Sequence, residues 1–166
     1  LTSPDPNITI YYTTNGDAPN NTSTIYANTP ITIATTTVVK AIAYSSTANI
    51  PPSFIDYHTF FINDTHTIPI LSISGNQVDN LLNGNGGLEP EGTMEWFSAS
   101  GNLLDKGTGE YNRHGNDSWA YDQRGFDYIM RDQFGYNYAL QDKLFMTKDR
   151  DKFQRVIVKA AANDNY

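Results

Sequence analysis

The distribution of apolar and polar residues along the chain predicts a series of short β-strands. The most regular run, residues 37–44, alternates between a face of small apolar side chains and a face that includes Lys40. Further runs lie at residues 8–12, 31–33, 54–62, 69–74, 93–97, 107–113, 126–131 and 153–159. Both faces of the 37–44 run are partly apolar, which is typical of packed sheets. With one helical turn predicted at residues 78–82, the fold class is mainly β.

Amino-acid composition divides the chain into two predicted modules, with a boundary near residues 66–69. The first 66 residues contain fourteen threonines, no glutamate and one basic residue, Lys40. Because threonine favours strands over helices, residues 1–66 are predicted to form a small Ig-like β-sandwich. Residues 67–166 contain both tryptophans and the other ten basic residues. Their pattern predicts an α+β module that is dominated by one sheet.

Charge and residue usage argue against several classes of partner and chemistry. The chain of 166 residues has a net charge of -7 and no cluster of basic residues, which disfavours nucleic acid and anionic membranes as partners. It contains no apolar run long enough to insert across a bilayer. Without cysteine it forms no disulfide or thiolate metal site. We expect a segment of a longer protein, because no signal-peptide pattern follows Leu1.

The first module carries an ordered set of short motifs. They are residues 8–17 followed by Pro19, residues 23–26, Pro30 with Ile31, and residues 39–41. This order resembles the fibronectin-III-associated, or chitobiase C-terminal-type, domain over about residues 5–62. The resemblance implies a non-catalytic β-sandwich of the kind that is attached to extracellular bacterial enzymes and adhesins.

The second module carries a longer series of motifs. They are residues 69–73, residues 94–97 with Gly101, residues 113–118, 126–135, 144–145 and 153–164. Their order is similar to the N-terminal part of the CotH family of atypical kinases, over about residues 67–166. Related domains occur in large secreted bacterial surface proteins, often beside a module of the first type.

The CotH resemblance implies ATP-dependent phosphoryl transfer, with Mg-ATP as the cofactor if acidic metal-binding residues follow Tyr166. Family kinases carry consecutive lysines where this chain has Gln123 and Arg124. A planar guanidinium binds phosphate in a geometry that differs from the point charge of lysine. Catalysis by this chain alone is therefore not expected, and we predict a pseudokinase-like module with no cofactor of its own.

Arginines and aromatic residues supply the candidate binding sites of the second module. The candidate contacts for an anion or a nucleotide are Arg113, Arg124 and Arg131, with surface salt bridges as the alternative. The candidates for stacking on a glycan are Trp96, Trp119 and Tyr121, with burial in the core as the alternative.

Other polar motifs are interpreted as structural. The glycine-rich stretch at residues 83–87 is not followed by the Gly-Lys-Ser/Thr of a phosphate-binding loop, so a flexible loop is predicted. His114 is expected to close a turn beside Gly115. Asp127 and the aspartates five residues before and after it are expected to be solvated, because their spacing does not build a metal cage. No metal site is predicted.

Two functions follow from the sequence. The first is a non-catalytic segment of a secreted bacterial surface protein, located outside the cell, that serves display, adhesion through glycan or protein contact, or self-assembly. Self-association is included because the sequence shows no evident protection of strand edges except Lys40 and prolines. The alternative is the N-terminal part of a CotH-type kinase that is completed by downstream sequence.

Overall fold

The computed structural model, which describes residues 1–120 and 122–159, consists of two antiparallel sheets and confirms the mainly-β fold class. The first sheet has the order β2-β1-β3-β4 and contains β1 (Ile8–Thr13), β2 (Thr24–Ile25), β3 (Thr37–Ser45) and β4 (Asp56–Phe60). The second sheet has the order β5-β6-β7-β8-β9 and contains β5 (Ile70–Ser74), β6 (Glu91–Phe97), β7 (Leu103–Arg113), β8 (Phe126–Met130) and β9 (Arg155–Val158). The helix α1 (Val78–Leu82) follows β5. The last strand of the first sheet ends before the predicted boundary at residues 66–69, and the first strand of the second sheet begins after it.

One strand predicted in the first module, at residues 31–33, does not form. This segment has no strand pairing and instead contributes Ile31 and Ile33 to the wall of a cavity that Val39 and Ala41 of β3 also line. Pro30 has no N–H to donate to a sheet, and three residues are too few to compensate for that loss. Lys40, which was expected to protect an edge, lies in the central strand β3 and is buried.

The second sheet is a meander in which each strand pairs with the next along the chain. Its core lies on the face covered by α1, where Val78 and Leu81 pack over Met94, Tyr111 and Tyr128. The two tyrosine hydroxyls donate hydrogen bonds to backbone carbonyls of β6 and β7, so their polar atoms are satisfied inside the core. The predicted hairpin of β6 and β7 and the strands β8 and β9 are confirmed.

Polar and charged side chains join the two sheets, and we call this strip the seam. Its members are Lys40, His58, Thr59, Ser72, Ser74 and Glu95. The Glu95 carboxylate is buried and accepts hydrogen bonds from the Thr59 hydroxyl and from His58 Nδ1 at 3.0 Å. Lys40 Nζ donates to the Ser74 carbonyl at 3.2 Å. Because a buried charge without partners is costly, these contacts require the two sheets to be correctly placed.

A second polar contact lies where the edge strand β4 approaches β7. Lys106 Nζ donates to Asp56 Oδ1 at 2.7 Å and to the Tyr57 carbonyl at 2.8 Å. The same ammonium lies 4.6 Å from the centre of the Tyr57 ring. Lys106 of the second sheet therefore donates a hydrogen bond to a backbone carbonyl of β4, the edge strand of the first sheet.

Burial changes the ionisation of Lys40. Removal from water lowers the pKa of its ammonium from 10.5 to about 8, although the Asp17 and Glu95 carboxylates oppose this shift. The unfolded chain therefore binds more protons than the folded chain between these two values. Across that window the free energy of unfolding rises with pH, and below it the full cost of burying the charge is present.

Lys40→Met is expected to remove this rise. Relative to the variant, the wild-type protein should gain on the order of 3 kcal/mol of unfolding free energy between about pH 8 and about pH 10. Burial raises the pKa of Tyr57, Tyr111 and Tyr128, so both proteins should lose stability above about pH 10. Urea unfolding at a series of pH values measures the difference, with the exposed Lys148→Met as control. If the difference in unfolding free energy between wild type and Lys40→Met does not change with pH, the pKa of Lys40 is not lowered in the folded protein.

Close packing of β7 on β8 gives a second expected effect, at Gly109. A Cβ at this position would lie 2.2 Å from the Ile129 carbonyl oxygen and 2.8 Å from the Met130 Cα, both of them backbone atoms of β8. Gly109→Ala should therefore lower the free energy of unfolding by about 3 kcal/mol. Gly87→Ala, where the nearest atom is 3.9 Å away, should change it by less than about 0.5 kcal/mol. If chemical denaturation shows that Gly109→Ala and Gly87→Ala change the free energy of unfolding equally, β8 shifts to accommodate the added methyl group and the prediction is wrong.

Candidate functional site

Three of the predicted site residues meet beside the glycine-rich loop, and we call them the arginine cluster. Arg113 ends β7, Trp119 lies in a short 3₁₀ turn at Asp117–Ala120, and Arg124 precedes β8. The guanidinium carbon of Arg113 lies 5.1 Å from the centre of the Trp119 ring, and that of Arg124 lies 5.9 Å from it. The indole therefore contacts two cations, an arrangement that its electron-rich face stabilises.

The glycine-rich loop packs directly against this cluster. A Cβ on Gly86 would lie 2.8 Å from Arg113 Cδ and 3.2 Å from the Trp119 ring, so a side chain at this position would displace one of them. Gly84 has a φ of +119°, which favours glycine, and its position for a Cβ is 3.6 Å from Arg124 Nη2. The sequence analysis predicted a flexible loop and did not anticipate that it contacts the arginine cluster.

Among the described residues, the hydrogen bonds of the two arginines go to neutral acceptors. Arg113 Nε donates to the Gly115 carbonyl at 2.9 Å, and Arg124 Nη1 donates to the Leu82 carbonyl at 2.9 Å. Within the part of the chain that the structure describes, neither guanidinium forms an ion pair, and the buried Arg124 Nε has no hydrogen-bond partner. Two guanidinium groups bonded to neutral acceptors attract an anionic group.

Arg131 does not join the cluster. Its Nε and Nη2 donate to the same carboxylate oxygen of Glu110, at 3.1 and 2.9 Å, across neighbouring strands. This is the salt bridge that was considered as the alternative for each arginine. Its charge is compensated, and Arg131 is the least suited of the three to an added anion.

Two of the three candidate glycan-stacking residues, Trp96 and Trp119, lie among the described residues, and each has its own internal partners. Trp96 is half-buried in β6 and donates from Nε1 to Asp142 Oδ2 at 2.6 Å, which attaches the segment before β9 to the sheet. Trp119 donates from Nε1 to the carbonyls of His114 and Gly125, and its ring contacts Gly86 and the two arginines. Tyr121 lies outside the described residues.

Asp127 was expected to be solvated, and this expectation was wrong. Its carboxylate is buried in β8, where it pairs with Arg155 of β9 and lies 3.3 Å from His114 Nδ1. The signal was present in the sequence, because Asp127 stands between Phe126 and Tyr128 in a strand that is buried on both faces. An acidic residue in such a strand needs a cationic partner.

The aromatic pair of Phe54 and Tyr136 was missed in the sequence analysis. The two rings meet edge to face at 5.0 Å, and Tyr136 is 83% exposed. Its sequence signal is the turn at residues 134–138, in which aromatic residues alternate with Gly135 and Asn137. Aromatic residues in a turn cannot be buried by strand pairing, so such a composition predicts exposed rings.

Two features are absent from residues 1–120 and 122–159. In these ranges, no three His, Asp or Glu side chains are grouped so that they could hold a metal ion. The helices in the same ranges include none with the length and apolarity needed to cross a membrane.

Comparison with known proteins finds a match for the first part of the chain. Residues 1–52 match the family model of the chitobiase/beta-hexosaminidase C-terminal domain, a β-sandwich type. The match includes β1, β2 and β3 and confirms the resemblance stated for the first module. No curated protein and no solved structure matches the chain. The similarity of residues 67–166 to the CotH family has no support from these comparisons and stays a prediction.

Proposed function

We propose that this chain is a non-catalytic segment of a secreted bacterial surface protein that serves display and adhesion outside the cell. The observation that carries this proposal is the use of the buried charges, which hold strands and sheets together. Lys40 and Glu95 join the two sheets, and Asp127 joins β8 to β9. Charged groups that are committed to internal contacts support a rigid scaffold rather than a reacting centre.

The family match of the first module supports the same proposal. Residues 1–52 match a domain that is named for its place at the C-terminus of sugar-cleaving enzymes. The seam attaches this module to the second sheet through Glu95, so a ligand held by either module is held by one rigid body. Rigid presentation lowers the entropic cost of adhesion, because fewer degrees of freedom are lost when a ligand binds.

Antibodies against the purified chain should label intact cells that express the parent protein. External protease should remove this label while leaving a cytoplasmic marker protein intact. The measurement is fluorescence of intact cells before and after protease treatment, with permeabilised cells as the positive control. Labelling that requires permeabilisation would place the chain inside the cell and exclude display.

A second function, the N-terminal part of a CotH-type kinase, is favoured by the arginine cluster. By the CotH resemblance, Arg124 stands where family kinases carry a lysine, and a Cβ on Gly84 of the glycine-rich loop would lie 3.6 Å from its Nη2. Arg113 adds a second positive charge on the same indole ring. This grouping suits the phosphates of a nucleotide, which are stabilised by guanidinium groups and by backbone N–H donors.

Arg124→Ala tests the kinase candidate by calorimetry with Mg-ATP. The protein is used with any sequence that follows Tyr166 in its gene, and wild type should bind about tenfold more tightly than the variant. Arg131→Ala is the matched control, because that arginine is ion-paired with Glu110 and should leave binding unchanged. Absence of saturable ATP binding in a folded wild-type protein would reject this candidate and leave the display function standing.

A further inference from the structure

An exposed aromatic pair with polar neighbours lies where the two sheets meet, and we call it the Tyr136 platform. It consists of Phe54, Asp56, Lys106, Tyr136 and Asn137. Tyr136 is 83% exposed, and its ring stands at 88° to that of Phe54 with the centres 5.0 Å apart. The Phe54 ring thus supports the Tyr136 ring, whose open area faces solvent. A large exposed aromatic surface that the fold does not bury is a candidate contact surface.

The platform is held in place by the packing of its own turn. Gly135 is buried, and a Cβ there would lie 3.0 Å from Thr108 Oγ1 of β7. Asn137 Nδ2 donates to the Lys106 carbonyl at 2.9 Å, which fixes the other side of Tyr136 to the same strand. The exposed ring is therefore carried by backbone that packs on the second sheet, and little order has to be gained when a ligand binds.

Polar groups border the ring on one side. Asp56 and Lys106 form an ion pair of 2.7 Å, and the Asp56 side chain is 79% exposed. Together with Tyr136 and Asn137 they line a recess of about 50 Å³. Carboxylate, ammonium and amide groups beside an aromatic face provide the acceptors and donors that bind hydroxyl groups directionally.

The same ion pair borders a larger cavity on its other side. This cavity has a volume of about 360 Å³ and is lined mainly by apolar residues, including Tyr26, Ile31 and Phe60. Asp56 and Lys106 belong to both the recess and the cavity. A ligand that spans them needs repeated units, each with an apolar face and polar edges.

We infer that the Tyr136 platform binds a neutral oligosaccharide, with one pyranose ring stacked on Tyr136 and its hydroxyl groups bonded to Asp56, Lys106 and Asn137. The apolar C–H face of a pyranose suits an aromatic ring, and its equatorial hydroxyls project toward the polar border. The ligand is neutral because the ion pair compensates itself and the chain carries a net charge of -7. This inference rests on the proposed adhesion function and names the surface that performs it.

The platform also differs from the aromatic residues that the sequence suggested for stacking. Trp119 contacts two arginines and Gly86, so a sugar would have to displace one of them. Trp96 is half-buried and bonded to Asp142. Among these aromatic residues, Tyr136 combines an open ring with polar groups that belong to one recess.

Tyr136→Ala should weaken oligosaccharide binding by about tenfold, because it removes the stacking surface. Calorimetry with cellohexaose, mannohexaose and chitohexaose measures the affinity of the complete chain for each sugar. Tyr136→Phe keeps the ring and should retain binding. Tyr138→Ala is the matched control, because Tyr138 is 52% exposed in the same turn and does not line the recess. Thermal unfolding should show that all variants remain folded.

The inference is overturned if the folded wild type binds none of the three hexasaccharides, or if Tyr136→Ala binds as tightly as wild type. The proposed function is tested separately, by labelling of intact cells, so its failure is distinguishable from these results. A labelled surface without sugar binding rejects the platform alone, whereas an unlabelled surface rejects display whatever Tyr136 binds.

Discussion

Burial of the Glu95 carboxylate is the constraint on which the two-sheet structure depends. A carboxylate removed from water is strongly destabilising unless hydrogen bonds replace its hydration. Glu95 belongs to the second sheet, while Thr59 and His58, which bind its two oxygens, belong to the first. The Glu95 carboxylate therefore has both hydrogen-bond partners when the two sheets are docked in this register. Apolar side chains alone tolerate sliding between sheets, whereas these directional bonds do not.

Positive charges in this protein fall into two groups with different consequences. Lys40, Lys106 and Arg131 are committed to carbonyls or carboxylates within the fold, and they stabilise particular strand contacts. Arg113 and Arg124 share an indole ring and bind only neutral acceptors among the described residues. The difference arises from neighbouring side chains, because the intrinsic chemistry of the guanidinium group is the same in both groups.

The aromatic residues near the surface also fall into two groups, those with internal contacts and those with a ring open to solvent. The two tryptophans use their indole N–H groups for internal hydrogen bonds, and their rings are half-buried. Tyr136 instead extends from a turn that is anchored by the packing of Gly135 on Thr108. An anchored turn presents a ring to solvent without the entropic cost of ordering it on contact.

Local sequence predicted most of the strands, the hairpin of β6 and β7, the helical turn of α1 and the resemblance of the first module, because each depends on neighbouring residues. Residues 31–33 are the exception, since they do not form the predicted strand. Alternation of apolar residues and the turn at Gly101 are sufficient for that hairpin. Contacts between distant residues were decided by tertiary structure alone. Sequence did not predict the pairing of Glu95 with Thr59, the burial of Asp127 or the meeting of Arg113 with Arg124, because the free energy of each depends on burial and on partners far along the chain.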